Sequence, residues 1–74
     1  MIKNQLEYLK LISGFHALTL KTISTKLKKS ESTARGTLNI LIKNGYIKSE
    51  MVPPGKYGTR MYWVTQKTRN LLKN

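Results

Sequence analysis

The side chains best suited to recognition chemistry lie between residues 31 and 44, where polar residues recur at helical spacing. Projected at about 100° per residue, one side of this segment carries Ser32, Arg35, Gly36, Asn39 and Lys43. This side has no carboxylate, and Glu31 lies at its edge. An arginine can donate two hydrogen bonds to a guanine edge, and an asparagine can pair with adenine. The segment therefore predicts a helix that contacts base edges in the major groove of duplex DNA.

Four further features of this segment concern a glycine, two threonines and an isoleucine. A glycine inside a helix lowers the stability of the helix by about 1 kcal/mol relative to alanine. Close approach of another surface to the helix is one physical reason for the glycine at position 36. The hydroxyls of Thr33 and Thr37 can reach phosphates or bases. Ile40 projects near the polar face, where it would contact a thymine methyl group or a second subunit. The alternative is a solvated helix exterior with a tolerated glycine.

The chain as a whole is strongly basic. Its 74 residues include 14 lysines and arginines against three acidic residues, which gives a formal net charge of +11. Four of these lysines crowd the segment before residue 30, namely Lys21, Lys26, Lys28 and Lys29. A run of lysines usually only keeps a protein soluble, but here the compensating acids are missing, so the charge predicts a polyanionic partner. Nucleic acid is the first candidate, and an anionic membrane surface is the second.

Further basic residues surround the one stretch rich in proline and glycine, residues 53–58. This stretch predicts a turn between two strands, with Lys56, Tyr57 and Arg60 at or near the tip of the hairpin. A basic tip can follow a phosphate strand or place an arginine in a narrow minor groove. The alternative is an ordinary turn that carries a lysine.

The composition excludes several classes of function. The chain has no cysteine, one histidine and three acidic residues, so disulfides, metal clusters and acid–base pairs lack the necessary side chains. We therefore expect no enzyme activity, no metal and no cofactor. The apolar runs are too short to span a membrane, and the absence of cysteine is compatible with the cytoplasm. A core of this size leaves little room for a pocket, so we expect no small-molecule effector.

The hydropathy pattern predicts the elements that position these side chains within a single domain, residues 1–74. Apolar spacing indicates helices over 2–13, 20–28 and 31–44, and alternation indicates strands over 46–52 and 59–64. A last short helix follows residue 65. We expect Thr19, Ser30 and Thr65 to be the N-caps of three helices. We expect Gly45 to end the third helix in the left-handed conformation.

Apolar residues of two predicted helices indicate what each helix contacts. In the third helix, Ala34, Leu38 and Leu41 form one buried stripe opposite the polar side. In the first helix, the apolar arc is wider than one face, because Tyr8 and Leu11 extend it. Either the domain core surrounds a helix of this kind or the helix also contacts another subunit, and for so small a domain we favour the second, so we expect a homodimer.

The order of these motifs resembles the winged helix-turn-helix family. The resemblance rests on the runs LTLKTISTKL (18–27), SESTA (30–34) and NGYI (44–47), and on Leu38 and Leu41 between the last two. The run WVTQK (63–67) resembles the passage from strand to last helix in MarR-like regulators, and the small basic regulators of archaeal viruses and plasmids are similar more loosely. The resemblance implies an α+β fold with a three-helix core, a two-stranded wing hairpin, a short C-terminal helix and a short strand near Ala17–Leu18.

The resemblance also implies where the contacts lie. Ser32, Thr33, Arg35, Gly36 and Asn39 fall where such proteins contact bases and phosphates, and Lys56, Tyr57 and Arg60 fall on the wing. Two features depart from the family pattern. Lys28 and Lys29 stand where the turn usually has a small residue followed by an apolar one, so either the turn is displaced or Lys29 buries only its stem and keeps its ammonium in water. The terminal helices are also shorter than those that dimerise the larger MarR-like proteins.

These observations together predict a cytoplasmic transcriptional regulator, a repressor, that binds double-stranded DNA sequence-selectively as a homodimer. Helix 31–44 would lie in the major groove, and wing 53–60 would lie on the backbone or in the minor groove. The predicted DNA-contacting residues are Lys21, Lys26, Lys28, Lys29, Ser30, Ser32, Thr33, Arg35, Gly36, Thr37, Asn39, Lys43, Lys56, Tyr57 and Arg60. The alternatives are a chromatin-like or RNA-binding winged helix without base preference, and a protein–protein interaction module.

Overall fold

Helices and strands follow one another in the predicted order. The computed structural model describes residues 3–53, 55 and 58–73. Its elements are α1 (Lys3–Ser13), β1 (Leu18–Thr19), α2 (Leu20–Leu27), α3 (Glu31–Lys43), β2 (Ile47–Val52), β3 (Thr59–Val64) and α4 (Gln66–Lys73). The α+β class is therefore confirmed, with a three-helix core, a hairpin and a short last helix.

The helix boundaries differ from the predicted ones by one residue. Helix α2 ends at Leu27 because Lys28 takes the left-handed conformation, with a φ of 56°. Helix α3 ends at Lys43, and the predicted left-handed Gly45 follows with a φ of 81°. The predicted start of the first helix, Ile2, lies outside the described residues.

Side-chain caps begin two of the helices as predicted. The hydroxyl of Thr19 accepts a hydrogen bond from the backbone N–H of Thr22 at 3.2 Å, at the start of α2. The hydroxyl of Ser30 accepts one from the N–H of Thr33 at 3.1 Å, at the start of α3. Each bond satisfies a backbone donor that has no partner inside the helix.

The three strands form an antiparallel sheet in the order β1-β3-β2. Strand β1 was predicted near Ala17–Leu18 and lies one residue later, where Leu18 pairs with Tyr62. Strands β2 and β3 pair along their whole length, from Ile47 opposite Val64 to Val52 opposite Thr59. Beyond the paired strands, Gly58 lies close to Pro53, since a Cβ at Gly58 would collide with the carbonyl oxygen of Pro53.

The core joins the apolar sides of α1, α2 and α3 to one face of the sheet. Its buried residues are Tyr8, Leu9, Ile12, Leu18, Ile23, Ala34, Leu38, Leu41, Ile47, Tyr62 and Val64. On the other face of the sheet, Met61 and Trp63 are half-buried. Helix α1 alone contributes three wholly enclosed residues, so the domain itself covers much of its wide apolar arc.

Helix α4 is bonded to the chain that follows α3. The hydroxyl of Thr65 donates to the carbonyl of Gly45 at 2.8 Å, and the buried hydroxyl of Thr68 donates to the carbonyl of Tyr46. The ammonium of Lys67 donates to the carbonyl of Asn44 at 3.1 Å. Thr65 does precede α4, but its hydroxyl makes these tertiary bonds, a role that the sequence pattern did not indicate.

Candidate nucleic-acid interface

The two sides of α3 have opposite environments. Ala34, Leu38 and Leu41 are wholly buried against the core. The predicted contact residues on the other side are exposed, namely Ser32, Thr33, Arg35, Gly36, Asn39 and Lys43. Thr37 lies between the two sides and is half-buried. The structure therefore presents the polar, carboxylate-poor side of the helix outward, as the sequence predicted.

The N-terminal turn of α3 is fixed by its own hydroxyls. Ser30 accepts from the backbone of Thr33 and also donates to the Thr33 hydroxyl at 2.9 Å. This arrangement occupies the Ser30 hydroxyl, while the Thr33 hydroxyl keeps its own proton available. Ser30 consequently acts first as the helix cap, and Thr33 is the better placed of the two to meet an external acceptor.

The turn between α2 and α3 is formed by two exposed lysines. The N–H of Lys28 bonds the carbonyl of Thr25 at 3.2 Å, and the N–H of Lys29 bonds the carbonyl of Ser24 at 2.9 Å. This pair of bonds is the Schellman motif, in which the left-handed position is usually a glycine. Here Lys28 holds that position, and both lysine side chains point into solvent.

The other two lysines of the first basic cluster lie on α2. Both Lys21 and Lys26 are exposed. The ammonium of Lys26 lies 5.6 Å from the centre of the Phe15 ring, within reach of a cation–π interaction. With Lys28 and Lys29, these residues give α2 and the following turn four exposed positive charges next to the start of α3.

The hairpin carries the third group of predicted contacts. Arg60 is exposed, and its guanidinium donates to the hydroxyl of Ser49 on the neighbouring strand at 2.9 Å. The predictions for Lys56 and Tyr57 fall outside the described residues. Arg60 is therefore the described positive charge nearest to the tip of the hairpin.

One exposed residue of α3 stands apart from the predicted set. Ile40 is 48% exposed on a helix side that is otherwise polar or glycine. It is one of four large hydrophobic residues that are exposed in the described part of the chain, with Phe15, Val52 and Leu71. The helical projection placed Ile40 near the polar face, and the structure agrees with that position.

Three further features of the described residues concern metal, pocket and membrane sites. Across 3–53, 55 and 58–73, no three His, Cys, Asp or Glu side chains lie close enough to hold a metal ion. A shallow cleft of about 330 Å³ is lined by Ser13, Gly14, Phe15, His16 and Arg69, none of which belongs to the predicted contact set. None of the described helices is long and apolar enough to cross a bilayer.

Solved structures of two DNA-bound proteins and of a transcriptional regulator share this fold. FabT from Streptococcus pneumoniae, solved in complex with DNA, matches with a TM-score of 0.87 and 19% identity over 99% of this chain and 50% of its own. ZitR from Lactococcus lactis, also in complex with DNA, matches with a TM-score of 0.82 and 23% identity over 99% and 49%. A MarR family transcriptional regulator from Silicibacter pomeroyi matches with 0.82 and 20% over 96% and 47%.

These similarities define the fold. The chain has a winged-helix fold like that of MarR-family regulators, and it spans about half the length of the solved chains that it matches. Comparison with models of protein families and with curated proteins found no match.

Proposed function

We propose that this protein is a transcriptional regulator, a repressor, that binds duplex DNA sequence-selectively. The observation that carries the proposal is the outward side of α3, where Arg35, Gly36 and Asn39 are exposed while the opposite stripe is buried. Because the fold is one in which two solved relatives were captured on DNA, this helix is the natural candidate for the major groove.

The mechanism separates attraction from discrimination. Phosphates are attracted by exposed charges on α2, on the turn that follows it and on the hairpin, namely Lys21, Lys26, Lys28, Lys29 and Arg60. These contacts supply affinity that falls with salt and carries no sequence information. Bases are discriminated by Arg35 and Asn39, whose side chains suit guanine and adenine edges. The protein performs no chemical step and acts in the cytoplasm by occupying its site.

We further propose that the protein acts as a homodimer on a two-fold-related DNA site. In such a complex the two α3 helices would occupy half-sites about 34 Å apart, one helical turn of the duplex. Leu6 and Leu11 of α1, which the domain covers only in part, support a contact between subunits. The test is the spacing of half-sites in a footprint, together with the mass of the complex in analytical ultracentrifugation.

Selection from a random duplex library, followed by competition, tests sequence selectivity. We expect an enriched duplex that random DNA does not displace at equal concentration. Arg35→Ala should cost about 1–3 kcal/mol on the enriched duplex and relax its sequence preference. The matched control is Lys29→Ala, which removes one exposed positive charge from the turn and should weaken every duplex alike.

The outcomes separate the proposal from its alternatives. Equal affinity for enriched and random duplexes would identify a nucleic-acid-binding module without base preference. Elution from heparin at low salt without any shift of duplex DNA would instead indicate a protein–protein module. For selective binding that neutralises about six phosphates, log K should fall with log salt at a slope of about −5.

A further inference from the structure

Gly36 and Ile40 form a paired feature on the outward side of α3. They lie four residues apart, so they are neighbours one helical turn apart on the same face. A Cβ built on Gly36 meets no atom within 4 Å, so this position is a gap in the surface. Ile40 is 48% exposed, so it forms an apolar ridge beside that gap.

Neither residue is favoured at its position by the helix itself. Glycine and the β-branched isoleucine both stabilise a helix less than alanine or leucine does. A single exposed apolar residue is common on protein surfaces and needs no explanation alone. Here the exposed isoleucine adjoins a glycine in mid-helix, and each lies on the side of α3 that carries Arg35 and Asn39. The pair is therefore better explained by an external surface than by the stability of the domain.

The positions of the neighbours indicate what that surface is. At about 100° per residue, Ile40 lies about 40° from Gly36 on one flank, and Asn39 lies about 60° away on the other. When Asn39 hydrogen bonds with a base edge on one side of the gap, the adjacent base pair of the major groove lies opposite Ile40 on the other side. The apolar group that the major groove offers is the 5-methyl group of thymine.

We propose that Ile40 is a specificity-determining residue that packs on a pyrimidine 5-methyl group in the major groove, with Gly36 providing the close approach. The inference rests on the proposed function and adds a thymine to the recognised site. A contact between Ile40 and a second copy of the chain is less favourable, because Arg35 and Lys43 on the same exposed side would then face like charges.

The experiment uses the duplex enriched by selection with the unaltered protein. Each thymine in turn is replaced by deoxyuridine, which removes only the 5-methyl group. We expect one position at which the substitution weakens binding about fourfold, the value of one buried methylene-sized group. Ile40→Ala should bind the thymine and deoxyuridine duplexes equally well. Leu71→Ala is the matched control, since Leu71 is 47% exposed on α4 and should leave the fourfold difference intact.

A second arm distinguishes the two sources of a 5-methyl group. At the sensitive position, the pair is changed to cytosine–guanine with and without 5-methylation of the cytosine. We expect methylation to restore part of the lost affinity in the unaltered protein and to have no effect on Ile40→Ala. A restoration that is equal in both proteins would overturn the assignment to Ile40.

The outcomes keep this inference separate from the proposed function. If selection enriches no duplex, the proposed function fails. If selection succeeds but no deoxyuridine substitution distinguishes the unaltered protein from Ile40→Ala, only the inference fails. A change in the mass of the DNA complex for Ile40→Ala, without a change in thymine dependence, would assign the residue to a subunit contact instead.

Discussion

The two helices of the helix-turn-helix end in the same hydrogen-bonded turn but with different residues at its centre. After α2, Lys28 takes the left-handed conformation with a φ of 56°, and the N–H of Lys29 bonds back to Ser24. After α3, Gly45 takes it with a φ of 81°, and the N–H of Tyr46 bonds back to Leu41. Glycine adopts this conformation freely, whereas a residue with a Cβ pays about 1–2 kcal/mol.

The surroundings of the two turns explain the difference. The turn after α3 is bonded to α4 through Thr65, Lys67 and Thr68, so its role is to hold the domain together. The turn after α2 is exposed and carries two lysines beside the start of α3. The turn that holds the domain together has the glycine that the left-handed conformation favours. The turn beside the proposed DNA surface has a lysine at that position, and departures of this kind are common at functional sites.

The largest change in stability is expected from Gly45→Lys, which gives the turn after α3 the residue that holds the left-handed position in the turn after α2. Since a Cβ at Gly45 meets nothing within 4 Å, the cost is conformational alone. We expect the free energy of unfolding to fall by about 1–2 kcal/mol in urea titrations. Asn44→Lys is the control, because its φ of −88° suits any residue, and it should change stability by less than half as much. Equal losses in both variants would show that added charge, and not conformation, is responsible.

The bonds from α4 to the second turn are expected to contribute somewhat less. Thr68→Val removes a buried hydroxyl from the carbonyl of Tyr46 while keeping the side chain's shape. We expect a loss of about 1 kcal/mol in the free energy of unfolding. Thr65→Val removes the half-buried hydroxyl, which water can replace, so its effect should be smaller. If Thr65→Val costs more, the Gly45 carbonyl is the stronger anchor.

The fold was largely predictable from the sequence because its signals are local. The stripe Ala34, Leu38 and Leu41, the caps Thr19 and Ser30, and the stop at Gly45 each depend on residues a few positions apart. The outward side of α3 follows from the same periodicity. In contrast, the bonds of Thr65 and Thr68 to the residues after α3 join positions about twenty residues apart, and no local pattern encodes them.

The turn after α2 was harder to predict for a different reason. The sequence places a lysine where the usual turn residue would be small, so the pattern left the location of the turn open. The structure shows an undisplaced turn in which Lys28 accepts an unfavourable φ. A rule based on conformational preference fails where a residue meets another requirement, and in the proposed function that requirement is the exposed charge of Lys28 beside the start of α3.

Lys28→Gly tests that explanation directly. We expect the free energy of unfolding to rise by about 1 kcal/mol, because the strain is relieved, with part of the gain offset by the lost favourable charge at the end of α2. Lys29→Gly is the matched control, since it removes the same charge at a residue without positive φ, and it should not stabilise the protein.

The same two variants separate stability from binding. Both remove one exposed charge of the proposed phosphate contacts, so each should weaken enriched and random duplexes alike and make the salt slope shallower by about 1. A Lys28→Gly protein that is more stable and binds DNA as tightly as before would contradict the view that the strained lysine is kept for its charge.

The smallest change is expected from Gly36→Ala, a substitution inside α3 and not in either turn. Gly36 is the reverse of Lys28, a glycine where the backbone needs none, so alanine should raise the free energy of unfolding by about 0.5–1 kcal/mol. Its Cβ enters open space in the free protein, so no clash offsets this gain. On the enriched duplex the same methyl group would occupy the gap beside Ile40 and lower affinity, while binding to random DNA stays unchanged. Calorimetric unfolding and competition binding measure the two effects, and a variant improved in both would mean that no surface approaches α3 at this point.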